Sequence, residues 1–142
     1  MNANPSNALG QYRTNDAYGA ASGDRMQLIL CLMDGALDRI IIAKGHMHRQ
    51  EIAAKGEAIS RAIGLIDGLR TALDKDRGGD IAGNLERLYD YMMRRLVEAN
   101  FRNDEARLDE VAGLMEEIRA GWATIARPQR TAAADAGVSA GA

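Results

Sequence analysis

Apolar residues recur at helical spacing along most of the chain, and the stretch 88–100 shows the pattern most clearly. Its polar positions form one narrow line, in which Asp90, Arg94 and Glu98 follow each other at four-residue steps. The Asp90/Arg94 and Arg94/Glu98 pairs place opposite charges at the spacing that stabilises a helix. Almost every other position is apolar, whereas a helix packed on a single core needs an apolar stripe only about 100° wide. We therefore expect a helix that is surrounded by other helices or that keeps apolar surface for a partner.

The periodicity predicts two helices in the first half of the chain. The first covers residues 24–48, with Ser22 as its N-cap, and is apolar around most of its circumference. The second covers residues 51–73 and has the one-sided apolar pattern of a helix packed on one side. The connection between them is short, so they should be antiparallel neighbours. A polar, glycine-containing loop at residues 74–79 follows this pair.

Two more helices follow the loop. The third covers residues 80–100 and contains the stretch described above, and a tight turn then leads to a cap at Asn103 or Asp104. The fourth carries apolar residues at three- and four-residue steps until Pro128, which should stop it. No strand pattern competes with these helices. The pattern therefore predicts an all-α fold, an antiparallel four-helix bundle.

The regions outside the predicted helices divide the chain into three parts. Residues 1–21 are rich in Asn, Ala, Ser and Gly without a sustained period, which predicts a flexible N-terminal segment. Residues 22–127 form the bundle domain. Residues 128–142 are mostly Ala, Gly, Ser and Thr, and we expect a disordered C-terminal tail.

Composition and charge argue against several classes of protein. The 142 residues carry a formal net charge of −2 and a sequence pI near 5.7, so we expect no nucleic-acid partner. No signal-peptide pattern opens the chain, and the strongly apolar run 28–33 is far shorter than the roughly 20 residues of a membrane helix. We therefore expect no membrane insertion and a cytoplasmic location. The single cysteine, Cys31, lies in that apolar run and is expected to be buried.

The residues do not assemble a recognisable catalytic or metal site. A di-iron bundle needs a Glu-x-x-His motif on two helices, and the chain has no such motif. Its two histidines, His46 and His48, are two residues apart and thus on different faces of a helix. Neither Cys31 nor Ser60 has a histidine placed to activate it as a nucleophile. We expect a protein that is not an enzyme and that uses no cofactor or metal.

Binding through apolar surface remains as a function. The first and third predicted helices have more apolar circumference than a bundle requires, and seven methionines beside 4% aromatic residues make such a surface adaptable. A groove of this kind can hold an amphipathic or disordered partner. The same pattern also fits a homodimer interface or a well-buried pair of diagonal helices. Periodicity alone leaves these alternatives open.

Particular residues narrow the choice. Residues 89–92 (YDYM), followed by 94–100 (RRLVEAN) and by Asn103 and Asp104, closely resemble the FliS family of flagellar export chaperones. The likeness extends in collinear order over roughly residues 10–126, with further matches at 28–37, 53–59, 68–70, 108–111 and Trp122.

The resemblance implies a cytosolic chaperone that binds the disordered C-terminal segment of flagellin in an apolar groove. It would prevent premature polymerisation of flagellin and deliver it to the flagellar type III export gate. In the family, an N-terminal segment covers part of the groove when no client is bound, and an N-terminal tyrosine docks to the export gate protein FlhA. Tyr12 is the residue of this chain that corresponds best to that tyrosine.

The residues expected to line the flagellin-binding groove come from the first and third predicted helices: Leu28, Leu32, Met33, Tyr89, Met92, Met93 and Leu96. Each such side chain contributes about 1.5–3 kcal/mol when a client buries it, and the ordering of a disordered client partly offsets this gain. Spacing does not separate core from groove residues, although Leu32 and Met92 are the two most expected in the core. An alternative function is an adaptor or anti-regulator that binds another flagellar or regulatory protein through the same groove.

Overall fold

Helical backbone accounts for almost the whole described chain. The computed structural model describes the backbone of residues 21–141 and the side chains of residues 23–124. It contains four helices, which are α1 (Ala21–His48), α2 (Ile52–Thr71), α3 (Lys75–Arg102) and α4 (Glu105–Gly141). The predicted all-α fold is confirmed, and no strand occurs between residues 21 and 141. The predicted flexible segment lies outside the described residues, apart from its last residue.

Each helix of the bundle packs against two neighbours. α1 contacts α2 and α4, and α3 contacts the same two helices, so α1 and α3 lie on one diagonal. The Arg25 guanidinium near the start of α1 donates to the Ala72 carbonyl just after α2 over 2.6 Å. Lys44 near the end of α1 donates to Asp109 in the first turns of α4 over 2.8 Å. These contacts join opposite ends of neighbouring helices, as the predicted antiparallel arrangement requires.

One apolar core lies between the four helices. Its residues recur at three- and four-residue steps, so that Ile29, Met33 and Ile40 of α1 are at most 7% exposed. α1 and α2 approach closely at a glycine, since a Cβ on Gly35 would lie only 3.1 Å from the Leu65 side chain. The large side chains that are almost completely buried come from all four helices and are Met33, Ile40, Ile59, Ile66, Met92, Leu96, Leu108, Val111 and Met115.

α1 begins earlier than the sequence predicts. Its first residue is Ala21, so Ser22 lies inside the helix and the predicted N-cap is wrong. Because alanine is the strongest helix former, Ala21 can extend the helix toward the N-terminus. Asp24 still lies in the first turn, where the helix dipole favours a negative charge. The predicted end of this helix, at His48, is confirmed.

A glycine kink separates the observed start of α3 from the predicted one. Asp74 caps the helix by accepting a hydrogen bond from the Arg77 amide over 3.2 Å, so the helix begins at Lys75, inside the predicted loop. Gly79 then interrupts it with φ 53° and ψ −126°, a conformation that glycine adopts far more easily than other residues. The uninterrupted part of α3 follows this kink and starts at the predicted residue, Asp80.

The turn between α3 and α4 agrees with the prediction, whereas the end of α4 does not. Asn103 takes the left-handed conformation (φ 51°), and Asp104 caps α4 by accepting the Ala106 amide over 3.0 Å. The predicted stop at Pro128 is wrong, because α4 continues to Gly141. Proline removes one helical hydrogen bond, but the alanine-rich sequence after it favours helix. Residues 128–141 of the predicted tail are therefore helical.

The outer surface of the bundle differs from expectation at the cysteine. Cys31 is exposed, so the predicted buried thiol is wrong. It lies two residues from both Ile29 and Met33, which face the core, and a two-residue offset turns a side chain to the other side of a helix.

Among the described residues, no helix has the length and apolar character needed to cross a membrane.

Candidate binding surface

Polar contacts link the helices at the end of the bundle where α1 and α3 end and α2 and α4 begin. We call this the closed end. Lys55 of α2 is only 3% exposed, and its Nζ donates to the Asn100 carbonyl over 2.9 Å and to the Asn103 side chain. Lysine is rarely buried unless its ammonium group is satisfied, and the last carbonyls of a helix need such donors. Lys55 therefore ties the start of α2 to the end of α3.

A second polar network lies in the seam between α3 and α4. Glu110 accepts hydrogen bonds from the Tyr91 hydroxyl and from Arg95 Nε, the latter over 2.9 Å. Arg95 also lies 2.8 Å from Glu98, and Arg107 approaches the same carboxylate to 3.3 Å. The Tyr91 hydrogen bond, supported by Arg95, lowers the pKa of Glu110, and the same bond raises the pKa of Tyr91. The outer side of this seam is thus charged.

The charged residues predicted to pair along α3 pair with other partners. Asp90 lies 3.9 Å from Arg70 of α2, and Glu98 pairs with Arg95 instead of Arg94. The predicted Asp90/Arg94 and Arg94/Glu98 pairs are therefore wrong, because a neighbouring helix and a nearer arginine supply the cations. Arg94 stays exposed, without an ion pair among the described side chains.

Both histidines pair with glutamates at the closed end. His46 Nδ1 lies 2.7 Å from Glu51, and His48 Nε2 lies 2.8 Å from Glu105. The contact with His46, together with Arg49, lowers the pKa of Glu51. In the part of the chain that the structure describes, no three His, Cys, Asp or Glu side chains are grouped so that they could hold a metal ion.

The seven residues predicted to line a groove divide into two groups. Those with at most 2% exposure are Met33, Tyr89, Met92 and Leu96. Those that are partly exposed are Leu28, Leu32 and Met93. Because α1 and α3 are diagonal, α2 lies between the partly exposed residues of α1 and that of α3. Of the two residues most expected in the core, Met92 is buried and Leu32 is partly exposed, and Tyr12 lies outside the described residues.

An exposed apolar row, the α3 stripe, runs along the last part of α3. It consists of Met93, Val97 and Phe101 at four-residue steps, with Val97 57% and Phe101 83% exposed. Contiguous exposed apolar surface is a feature of interaction sites, whereas single exposed apolar residues are ordinary. The sequence holds the signal for the stripe, since residues 88–100 carry more apolar positions than one core needs. Phe101 is missed because the sequence places it in a turn, whereas α3 includes it.

The outer side of α2, the α2 face, connects the α3 stripe with α1. Its exposed positions carry four small residues and one pair of opposite charges, namely Ala53, Ser60, Gly64 and Thr71 with Glu57 and Arg61. Leu32 of α1 borders α2 on the other side, since a Cβ on Gly68 would lie 3.8 Å from its side chain, and Leu28 lies one turn earlier on α1. A peptide that lies across the α2 face therefore reaches apolar side chains at both edges.

The sequence also matches a known family over most of its length. Residues 5–129 fit the family described as flagellar protein FliS. The chain belongs to the FliS family. This match confirms the resemblance carried by the YDYM and RRLVEAN segments, and the matched residues form most of the four-helix bundle.

The relatives of this chain include flagellar secretion chaperones from three bacteria. The chain is 55% identical over 96 residues to FliSB of Pseudomonas aeruginosa, a match that covers 68% of this chain and 76% of that protein. It is 48% identical over 100 residues to FliS of Salmonella typhimurium, with coverage of 70% and 74%. It is 32% identical over 119 residues to FliS of Bacillus subtilis, with coverage of 84% and 86%. These similarities support a flagellar secretion chaperone of the FliS type.

Proposed function

We propose that this FliS-family chain binds the disordered C-terminal segment of flagellin through the α3 stripe and the α2 face, prevents its premature polymerisation and delivers it to the export gate. The proposal is carried by the exposure of Val97 and Phe101, two large apolar side chains that the folded bundle leaves in solvent. A client that buries them fully gains about 1.5–3 kcal/mol for each.

The arrangement of the helices favours a client that wraps around α2. Leu28 and Leu32 lie at one edge of the α2 face and the α3 stripe at the other, whereas the outer side of α4 exposes Glu116 and Glu117. A client that reaches apolar residues of both α1 and α3 thus crosses α2, where the exposed charges of Glu57 and Arg61 are opposite and lie 3.7 Å apart. Four of the predicted groove residues are buried in the core and hold the helices beneath this surface in place. They are Met33, Tyr89, Met92 and Leu96.

Charges beside the α3 stripe select for the sequence of the client. Arg94 and Arg102 are exposed next to it and form no ion pair among the described side chains. They favour a segment that carries acidic residues beside its apolar ones, and salt screens this attraction. The cost of ordering a disordered segment offsets part of the gain from burial. The complex therefore stays reversible, as a chaperone that must release its client requires.

The last part of the proposal concerns the delivery of flagellin to the export gate. A chaperone that receives flagellin before export acts in the cytoplasm, which is the location we propose. Tyr12 docks the loaded chaperone to the export gate protein FlhA. We expect Tyr12→Ala to keep its affinity for flagellin and to lose affinity for the cytoplasmic part of FlhA, measured by calorimetry with each partner. Equal loss of both affinities would contradict a separate docking role for Tyr12.

Titration calorimetry tests the binding surface directly. The full-length protein is titrated with a peptide that covers the C-terminal segment of flagellin from the same organism. We expect saturable one-to-one binding with a negative heat-capacity change. Val97→Asp and Phe101→Asp should each weaken binding by about tenfold or more, because each removes apolar contact worth at least about 1.4 kcal/mol. Both residues are exposed, so the variants should fold normally.

Ile41→Asp is the matched control, since Ile41 is a similarly exposed apolar residue (65%) on α1. It should leave the affinity unchanged. Equal losses in all three variants would show that binding depends on general surface hydrophobicity and would refute the assignment to the α3 stripe. If light scattering shows dimers that Val97→Asp converts to monomers, and if the peptide does not bind, the α3 stripe is a homodimer interface instead. Binding of a regulatory protein but not of the flagellin peptide would favour the adaptor function.

A further inference from the structure

The first turn of α3 is set apart from the rest of that helix. It covers residues 75–78, which we call the flap, and Gly79 follows it with φ 53° and ψ −126°. Glycine adopts this backbone conformation readily, whereas other residues adopt it only at a cost, so the chain changes direction at Gly79. The flap also has its own cap, because the Asp74 side chain accepts a hydrogen bond from the Arg77 amide and the Asp74 carbonyl accepts one from the Gly78 amide. The flap is therefore a small helical unit that a single glycine joins to the rest of α3.

An ion pair and a close backbone approach hold the flap against the rest of α3. Lys75 Nζ lies 2.8 Å from the Glu86 carboxylate, on the other side of the kink. The hydrogen bond from Lys75 lowers the pKa of Glu86, so this carboxylate is charged at neutral pH. Gly78 lies directly on Ala82, since a Cβ added to Gly78 would be only 2.7 Å from the Ala82 Cβ. The absence of a side chain at residue 78 is thus what allows the flap to dock.

These contacts are weaker than the packing of the bundle core. Lys75, Asp76 and Arg77 are exposed, and the two side chains of the Lys75–Glu86 pair are 60% and 29% exposed. Solvent and salt screen an ion pair of this kind. Segments with few buried contacts open locally, without unfolding of the whole protein. The flap should therefore detach from α3 while the four-helix core stays folded.

The flap forms one side of a cavity of about 430 Å³ at the end of the bundle opposite the closed end. Arg77 and Gly78 line that side together with Asp74. The rest of the wall is mostly apolar and comes from all four helices, including Ile29, Leu69, Leu85, Tyr89 and Trp122. The volume falls within the range of about 300–1,000 Å³ that is usual for ligand sites. Movement of the flap therefore changes the width of the mouth of a cavity large enough to bind a ligand.

We propose that the flap swings about Gly79 and regulates access to this cavity, and that the Lys75–Glu86 ion pair holds it in the docked position that the structure shows. In the released position, the side of the wall that the flap forms is absent, so a bulkier group can enter. Ala82, which is 3% exposed beneath Gly78, then becomes accessible. Access is regulated in this way whatever molecule enters, so the flap goes beyond the function proposed above and does not depend on it.

Two measurements on the full-length protein report on the flap. Trypsin cleaves after lysine and arginine in locally opened segments, so the rate of cleavage after Arg77, followed by mass spectrometry, measures release of the flap. Trp122 is the only tryptophan of the chain and lines the cavity. Quenching of its fluorescence by acrylamide, a neutral molecule, therefore measures access to the cavity. Release of the flap should increase both the cleavage rate and the quenching.

Gly78→Ala tests the close approach, because its Cβ would clash with that of Ala82. Cleavage should become about fivefold faster or more, with stronger quenching. Alanine favours helix more than glycine does, so a looser flap would result from the clash. Gly83→Ala is the matched control, since a Cβ there would lie 3.9 Å from the Arg87 side chain, an ordinary contact, and it should change neither measurement. The double variant Gly78→Ala/Ala82→Gly moves the methyl group to the other residue and should return both measurements toward wild type.

Glu86→Gln tests the ion pair without disturbing the core, since it removes the charge and keeps the size of the side chain. At low salt, cleavage after Arg77 should become about twofold to fivefold faster, the effect of one exposed ion pair. High salt should accelerate cleavage of the wild type and leave Glu86→Gln nearly unchanged, once rates are normalised to those of a short unstructured peptide. Glu57→Gln is the matched control, because it removes an exposed ion pair with Arg61 on α2. It should leave cleavage after Arg77 unchanged.

Three outcomes would overturn the inference. The first is unchanged cleavage and quenching in both Gly78→Ala and Glu86→Gln. The second is faster cleavage without stronger quenching, which would show that the flap moves and does not regulate access. The third is an equal acceleration of cleavage in all four helices, which would show that the whole bundle opens instead of the flap. Each of these results leaves the proposed function standing, because neither measurement involves flagellin.

Discussion

The closed end of the bundle and the opposite end, where α1 and α3 begin and α2 ends and which we call the open end, differ in how their buried polar atoms are paired. At the closed end, the buried Lys55 has two acceptors and thereby joins α2 to the last turn of α3. At the open end, the buried Trp122 Nε1 has none within the described residues, and a cavity of about 430 Å³ lies beside it. The closed end therefore pairs its buried donor, whereas the open end leaves one unpaired among the described residues.

Chain connectivity follows the same division. Two tight turns, at residues 49–51 and 103–104, close one end of the bundle, whereas a single connection, at residues 72–74, joins helices at the other. Fewer connections leave the helix ends at the open end less constrained, and local opening takes place where contacts are fewest. The closed end therefore constrains the helices more strongly than the open end does. Substitutions at the two ends should therefore have different consequences.

Loss of the buried lysine should have the largest effect on stability. Lys55→Ala leaves the Asn100 carbonyl without its donor and removes the packing of the lysine stem, so we expect a loss of about 2–4 kcal/mol in the free energy of unfolding. Lys44→Ala is the control, because Lys44 is an exposed lysine with partners at the same end. It should change stability little. The measurement is urea denaturation, and equal effects of the two variants would mean that the closed end does not depend on a buried donor.

Backbone conformation at the open end should have the next largest effect. Gly79→Ala places a side chain at φ 53° and ψ −126°, and we expect it to lower the free energy of unfolding by about 1–3 kcal/mol. Gly64→Ala is the opposite case, since Gly64 lies inside α2 and a Cβ added there would meet no neighbouring side chain within 4 Å. It should raise stability by up to about 1 kcal/mol. Thermal denaturation measures both, and a neutral Gly79→Ala would show that the kink does not shape the open end.

The comparison also shows which features the sequence reveals. Helical periodicity predicts the four helices and most of the core, because burial repeats every three or four residues whatever the neighbours are. The tight turn at Asn103 and Asp104 is predictable as well, since both residue types favour such positions. The α3 stripe is visible only as an excess of apolar positions, because spacing within one helix does not state how many neighbours that helix has.

Features that depend on two helices at once could not be predicted. Asp90 pairs with Arg70 across a helix boundary, and the seven predicted groove residues separate because α1 and α3 are diagonal. The buried donor of Trp122 is likewise a property of the packed bundle, since nothing in the spacing of α4 indicates where an indole nitrogen finds an acceptor. The early start of α3 depends on the cap at Asp74, a residue that the sequence pattern assigns to a loop.

Acid should act on the charged seam between α3 and α4, with the smallest effect of the series. Hydrogen bonding from Tyr91, supported by Arg95, lowers the pKa of Glu110 below its usual value of 4.5, so the folded state holds this carboxylate more strongly than the unfolded state does. Its contribution is complete above about pH 4.5 and disappears as the pH falls through the lowered pKa. Because the side chain is 35% exposed, we expect Glu110→Gln to lower stability by only about 0.2–1 kcal/mol at pH 7.

The difference between wild type and Glu110→Gln should therefore shrink as the pH falls from about 5 toward about 3. Glu117→Gln is the control, because Glu117 is exposed on α4 and has no hydrogen bond among the described side chains. Its difference from wild type should be small at every pH. Urea denaturation across this range measures both variants. A difference for Glu110→Gln that stays constant with pH would mean that the network with Tyr91 and Arg95 does not stabilise the seam through its charge.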